Sequence, residues 1–228
     1  MTQPFGSAPL EPFPIKVIAD VMCPWCFVGK RRLERALERL PHIEAVVTWW
    51  PFLLDPTIPP EGMDRGEYLQ KKFGSSDGGE MYLALREVGR EDGIEFAFDA
   101  IERSPNTVDA HRLIYWAGDP KTQDAVVERL FQLYFLEGAD ISDPDVLADA
   151  AAEAGMDAEA VREKLADDRD RDTILKMVEE MQKAGVNAVP AFVLGGKRAV
   201  VGAQPVDLLQ EQIELAEEEF RAERYEPD

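Results

Sequence analysis

The chain of 228 residues has only two cysteines, two histidines and no long apolar run, and each shortage removes a class of protein. Two cysteines cannot build the multi-bridge framework of a small secreted domain. A four-coordinate zinc site needs further ligands, and only His42 and His111 remain as strong nitrogen donors, with no second cysteine pair. No stretch approaches the roughly 20 apolar residues of a membrane span. Positive charge is scarce too: 25 Lys and Arg stand against 45 Asp and Glu, for a net charge of −20. Phosphate-backbone binding needs a basic stripe, so no nucleic-acid partner is expected. Residues 1–9 lack a basic segment followed by an apolar one, which argues against a secretory signal and makes the cytoplasm the expected compartment.

What the chain does have is 45% hydrophobic residues over a length that can build a core without disulfide staples. Both cysteines fall in one motif, Cys23-Pro24-Trp25-Cys26, directly after the apolar run 15–19 and before a long amphipathic stretch. This places a thiol pair at a strand-to-helix junction. Unpaired backbone N–H groups and the positive end of the helix dipole favour a thiolate there. Cys23 is therefore expected to be acidic, within the roughly 3.5–7.5 range of such cysteines. Pro24 suits the first helical turn, where its missing N–H is not needed. Trp25 adds apolar bulk and no charge. Spacing alone admits three readings of the pair: a redox couple, part of a zinc site, or an inert buried dithiol.

Residues 1–14 carry four prolines with little periodicity and read as an extended arm. A strand over 15–20 leads to an amphipathic helix that runs from Cys26 and ends before Pro41, and a second strand follows over 45–52. Pro56, Pro59, Pro60 and Gly62 then mark a break. Beyond it the pattern predicts helices near 65–73, 79–92, 107–117, 121–137, 143–154, 157–166 and 168–184, separated by Gly, Ser, Asp and Pro clusters. The segment 186–194 leads into a strand, Gly195-Gly196 forms a two-residue hairpin turn, 199–201 returns, and a last helix opens at Gln204-Pro205. The order is β-α-β, helices, β-β-α, with 61–185 as an all-helical insertion between halves at 15–60 and 186–222. The aromatic group Trp49, Trp50, Phe52, Tyr115, Trp116, Phe131, Tyr134 and Phe135 reads as core, with some members free to line a groove.

This order, with the cysteine pair on the first helix and Val189-Pro190 before the third strand, resembles the thioredoxin-like α/β fold of the DsbA family. Cys23-Pro24-Trp25-Cys26-Phe27-Val28-Gly29-Lys30 is most similar to the FrnE branch, which also holds the glutathione-dependent hydroxychromene-carboxylate isomerases and the kappa-class glutathione transferases. Asn106-Thr107 with Ala110-His111-Arg112-Leu113, Gly185-Val186 with Val189-Pro190, and Val201-Gly202-Ala203-Gln204 extend the similarity over roughly residues 14–220.

The resemblance implies a thiol–disulfide oxidoreductase in which Cys23 attacks a disulfide and Cys26 resolves the mixed disulfide. It implies that Pro190 is cis beside the reactive cysteine and that Val189 offers its backbone to substrate; by pattern alone the two are a strand start. Pro24 and Trp25 then belong to the substrate surface. Asn106 and His111 read by themselves as a helix N-cap and a core or surface histidine, whereas the resemblance turns their helix toward the active site. The implied partners are protein or small-molecule disulfides and thiols. No cofactor beyond the dithiol and no metal is expected, with glutathione left open as a co-substrate. Two alternatives stand: a glutathione-dependent isomerase or transferase, whose relatives carry serine in place of Cys23, and a non-catalytic redox-sensing binder.

Overall fold

The structure, a computed structural model, describes residues 11–225. Strand β1 (Phe13–Ala19) is central in a four-stranded sheet of order β2-β1-β5-β6. It pairs in parallel with β2 (Ala45–Pro51), from Phe13 opposite Ala45 to Ala19 opposite Pro51. A parallel pair needs a crossover, and helix α1 (Pro24–Glu38) supplies it. Strand β1 starts earlier than its apolar run predicts. Phe13 is fully buried, edge-on to Phe220 with ring centroids 5.5 Å apart, so Phe13 and Pro14 belong to the sheet rather than to the arm expected over 1–14. The part of that arm in 1–10 lies outside the described residues.

Between β2 and the next strand of this sheet run α2 (Arg65–Phe73), α3 (Gly79–Glu91), α4 (Val108–Trp116), α5 (Pro120–Leu136), α6 (Pro144–Glu153), α7 (Ala158–Leu165) and α8 (Arg171–Lys183). Their starts follow the local chemistry seen in the sequence. Asp119 and Asp143 accept N–H bonds from the first turns of α5 and α6, each ahead of a proline, and Asp157 caps α7. The insertion is not wholly helical. A two-stranded antiparallel ribbon, β3 (Met63–Asp64) with β4 (Arg103–Ser104), joins the start of α2 to the segment before α4. Two-residue strands leave no periodicity to detect, which is why the pattern misses them.

Strands β5 (Ala191–Leu194) and β6 (Arg198–Val201) form the hairpin, with β5 antiparallel to β1 and β6 antiparallel to β5 at the sheet edge, and α9 (Val206–Tyr225) closes the fold. Gly195 and Gly196 have φ of 59° and 78°, the left-handed values a tight hairpin demands. The register pairs Leu194 with Arg198, so Lys197 joins the connection and the expected two-residue turn becomes a three-residue one. One hydrophobic cluster runs from Phe13, Leu209, Ile213 and Phe220 through α1 to Leu130, Phe135 and Ala150. Phe27 of α1 stacks on Phe131 of α5, with centroids 5.0 Å apart. Among the described residues no helix is long and apolar enough to cross a membrane.

Helix α1 approaches the loop before β5 at Gly29, where an added Cβ would stand 2.7 Å from Pro190 Cγ and 3.2 Å from the Phe192 ring. Neither obstacle is the end of a flexible chain, so a methyl group must push the helix off the loop. Gly29→Ala is expected to lower the unfolding free energy of the reduced protein by about 1–3 kcal/mol. Urea titration checks this; an unchanged midpoint would mean that the contact gives way without cost.

Candidate active site

The site is built on the turn that follows β1. Asp20 is fully buried. Its Oδ1 accepts the Met22 N–H at 3.2 Å, its Oδ2 the Leu54 N–H at 2.6 Å, and its carbonyl the Cys23 N–H at 3.0 Å. The chain is thereby delivered to α1 with Cys23 as N-cap (φ −92°, ψ 114°) and Pro24 in the first turn. The Cys23 side chain makes no capping bond, which leaves its sulfur uncommitted to the helix. Both cysteines are free thiols and both are buried, Cys23 at 4% exposure and Cys26 at 1%. Burial pushes the Cys26 thiol well above its ordinary value, and the hydrogen bond with Cys23 and the charge on Cys23 push it further. A backbone hydrogen bond from Asp20 works the other way, while the Asp20 charge adds to the rise.

A cavity of about 330 Å³ opens beside this turn. Cys23, Pro24 and Trp25 line it together with Asn187, Ala188 and Val189 from the loop before β5. Trp25 is exposed (38%), whereas Cys26 and Pro190 do not reach the cavity. The Val189-Pro190 bond is cis, and Pro190 packs under the loop against Gly29. Arg65 and Tyr68 of α2 and Met81, Tyr82 and Leu85 of α3 form part of the opposite lining. Burial raises the Tyr68 phenol to about 12, with the charges of Asp55, Asp20 and Cys23 adding to the rise and Arg65 opposing it, so Tyr68 is neutral at physiological pH.

Four of the residues singled out in the sequence thus line one cavity, Cys23, Pro24, Trp25 and Val189, while Cys26 and Pro190 are set back from it. Asn106 and His111 do not line the cavity. Thr107, rather than Asn106, is the N-cap residue of α4. The Asn106 amide is committed locally, donating to Ile58 O at 2.7 Å and accepting the Val108 N–H at 3.1 Å. His111 is buried, with Nε2 3.0 Å from Phe52 O and 3.6 Å from Asp20 Oδ1. Its ring lines a different cavity, of about 240 Å³, with Trp49, Trp50 and Tyr115. His111 therefore touches the site only from behind, through Asp20. Phe131, Tyr134 and Phe135 are fully buried core, and Trp49, Trp50 and Tyr115 are the aromatic residues of the group that line this second cavity. Among the described residues no group of three or more His, Cys, Asp or Glu is placed to hold a metal ion.

The sequence reading missed Asp20, Arg65, Tyr68 and Tyr82. For Asp20 a signal was available, an acidic residue closing an apolar strand three positions before a cysteine. For the others there was none, because α2 and α3 are brought to the cavity by tertiary packing.

The chain is 27% identical over 200 residues to the uncharacterized protein YwbO of Bacillus subtilis, which covers 87% of this chain and 94% of that protein. Among solved structures, a Streptomyces coelicolor protein described as a probable DsbA oxidoreductase is similar at a TM-score of 0.80 and 29% identity, over 91% of each chain. The cytosolic disulfide reductase DsbM of Pseudomonas aeruginosa, in a structure with glutathione, shares the fold at a TM-score of 0.62 and 16% identity, over 91% of this chain and 99% of that one. A 2-hydroxychromene-2-carboxylate isomerase shares it at 0.66 and 16%, over 92% and 97%. Residues 14–214 match the model of the DSBA-like thioredoxin domain, and the chain belongs to that family.

Proposed function

We propose that this protein is a thiol–disulfide oxidoreductase that works through a mixed disulfide on Cys23, resolved by Cys26. One observation carries the reading: of two free, buried thiols one helical turn apart, Cys23 alone lines the cavity. The Cys23 thiolate attacks one sulfur of a substrate disulfide, forming Cys23–S–S–R and releasing the other half as a thiolate that takes up a proton. Cys26, once deprotonated, attacks the Cys23 sulfur, forms the internal disulfide and releases the second thiolate. Two electrons pass to the substrate, and the reverse sequence oxidises a dithiol. Val189, Pro24 and Trp25 form the surface on which the substrate lies. The intact pair favours redox chemistry over a glutathione-dependent isomerase or transferase.

The raised Cys26 pKa suits this order of events. Two of its causes are the hydrogen bond that the Cys26 thiol donates to Cys23 and the charge on Cys23; the charge is lost, and the bond weakened, when Cys23 enters a mixed disulfide. Cys26 is then easier to deprotonate at the moment it must attack. A reducing compartment, where the pair is cycled rather than left oxidised, fits this use. The neighbour DsbM is described as cytosolic and was solved with glutathione, which supports a cytoplasmic setting and glutathione as a co-substrate.

Cys26→Ser, incubated with insulin or a small disulfide, is expected to accumulate the Cys23 mixed disulfide, read by intact mass, while Cys23→Ser accumulates none. Equal trapping by both variants would reverse or dissolve the assigned roles. A pH titration of thiolate absorbance gives a second check. Cys26 in reduced protein should ionise above its ordinary value of 9.0, and Cys23→Ala should move that midpoint down, since it removes a bond and a charge that favour the neutral thiol. No downward movement would leave burial and the Asp20 charge as the causes of the rise and remove the proposed coupling.

A further inference from the structure

The cavity beside Cys23 contains a cation without an anion. Arg65, the first residue of α2, is 7% exposed and lines that cavity. Its Nη1 donates to Ser104 Oγ at 3.1 Å and its Nη2 to the Tyr82 hydroxyl. A guanidinium has five N–H groups, so these two bonds leave three without a hydrogen-bond partner, including the fully buried Nε–H. Among the described residues no carboxylate pairs with it. The nearest compensation is the faces of Tyr68, Tyr82 and Tyr134, at 5.6, 5.6 and 5.9 Å from the guanidinium carbon.

Arg112 shows what the same fold does with an arginine whose job is structural. It is 1% exposed. Its Nε donates to Arg169 O, its Nη2 to Lys164 O and Asp167 O, and its Nη1 to Asp109 Oδ1 at 3.0 Å. All three nitrogens are used and a carboxylate is among the acceptors. Arg65 is almost as buried, yet its Nε has no partner and neither of its two acceptors is a carboxylate. A buried charge left unpaired is costly, and the position that retains it is the wall of the reaction cavity. The chain as a whole carries −20, which repels anions from most of its surface. An anionic substrate would need a local cation at the site, and Arg65 is the cation that lines this cavity.

We propose that Arg65 receives a carboxylate of the substrate, and that the molecule reacting at Cys23 is a low-molecular-weight thiol or disulfide bearing such a group. This rests on the redox reading of Cys23. The planar guanidinium fork matches a carboxylate. The cavity, about 330 Å³, sits at the low end of the size range for small-ligand sites and is too small for a folded partner. Apolar side chains of Met81 and Leu85 cover the remainder of the ligand, while its sulfur meets Cys23. The electron count is that of the exchange above: one disulfide bond of the substrate breaks, the Cys23–Cys26 bond forms, and two protonated thiols leave.

The test compares two disulfides of similar size, the dianion dithiodiglycolate and neutral hydroxyethyl disulfide, as oxidants of the reduced protein. Each rate is divided by that of the same compound with dithiothreitol, which removes intrinsic reactivity. Wild-type protein is expected to favour the dianion by about tenfold or more, the discrimination of a charge-assisted bond in a buried site. Arg65→Gln should collapse that ratio and Arg65→Lys should keep part of it. A wild-type preference for the neutral compound, the order dictated by net charge alone, overturns the assignment, and so does a ratio that survives in Arg65→Gln. If neither compound oxidises the pair, the small-molecule assignment is overturned, whereas the redox reading stands or falls separately with the insulin trap of Cys26→Ser. Because the wild-type ratio needs no variant, poor folding of a substituted protein does not protect the proposal.

Discussion

The buried carboxyl of Asp20 is the constraint on which the site depends. Its side chain takes the N–H of Met22, in the turn entering α1, and the N–H of Leu54, beyond β2. Its carbonyl takes the N–H of Cys23. Each of these donors is a backbone group that costs about 1–3 kcal/mol if buried without a partner. A third segment enters through His111 of α4, whose Nε2 lies between Phe52 O and the Asp20 carboxyl. A carbonyl can only accept, so His111 carries its proton on Nε2 there and holds the chain beyond β2 as a donor. One residue thus ties the cysteine turn, the exit of β2 and the start of the α4–α5 pair to a common point.

With its N-terminus fixed in this way, α1 is gripped along three further faces. Gly29 admits the Pro190 loop to a distance no side chain would allow. Phe27 stacks on Phe131 and brings α5 against the helix. Lys30, 2% exposed, meets Glu34, Asp124 and Glu128. Burial is the largest influence on Lys30 and lowers its pKa, yet the three carboxylates together outweigh it and hold the ammonium charged. Asp124 also accepts the Trp49 indole N–H, so the same cluster reaches back to β2. The N-terminal end of α1, where a thiolate gains most, is consequently held rigidly against the cavity wall formed by Asn187, Ala188 and Val189.

How much of this could be read from the sequence depended on whether the controlling interaction is local. Helix starts at Asp119-Pro120 and Asp143-Pro144 are local, since the cap, the first-turn proline and the following amphipathic run lie within a few residues. The strand order around the cysteine pair is nearly so. The β3–β4 ribbon is not: its whole register is Met63 opposite Ser104 and Asp64 opposite Arg103, residues some forty positions apart with no alternation to betray them. Asn106 and His111 failed as cavity residues for a related reason. Their helix was legible, but its packing against α5, α6 and α8 was not. There the carbonyls of Ile58 and Phe52 take the Asn106 amide and the His111 ring.

The unpredicted ribbon is also what gives Arg65 its position. Ser104 on β4 holds Nη1, the Arg65 N–H bonds Glu102 O, and Tyr82 of α3 holds Nη2, so three segments distant in sequence place one guanidinium at the cavity. Helical pattern alone does not separate Arg65 from Arg112, because each opens or lies within a predicted helix and each has an acidic residue within three positions. The difference arises from where the carbonyls fall. Around Arg112 the segment 164–169 turns its carbonyls inward and consumes the donors. Around Arg65 the neighbours are hydroxyls and aromatic rings, which hold a guanidinium in place without neutralising it. A fold that can neutralise one buried arginine so completely does not leave a second one unpaired for want of acceptors. Asp20 fixes the cysteine turn from within, and Arg65 stands unpaired in the wall of the cavity that Cys23 lines, which is the contrast on which the proposed ligand role of Arg65 rests.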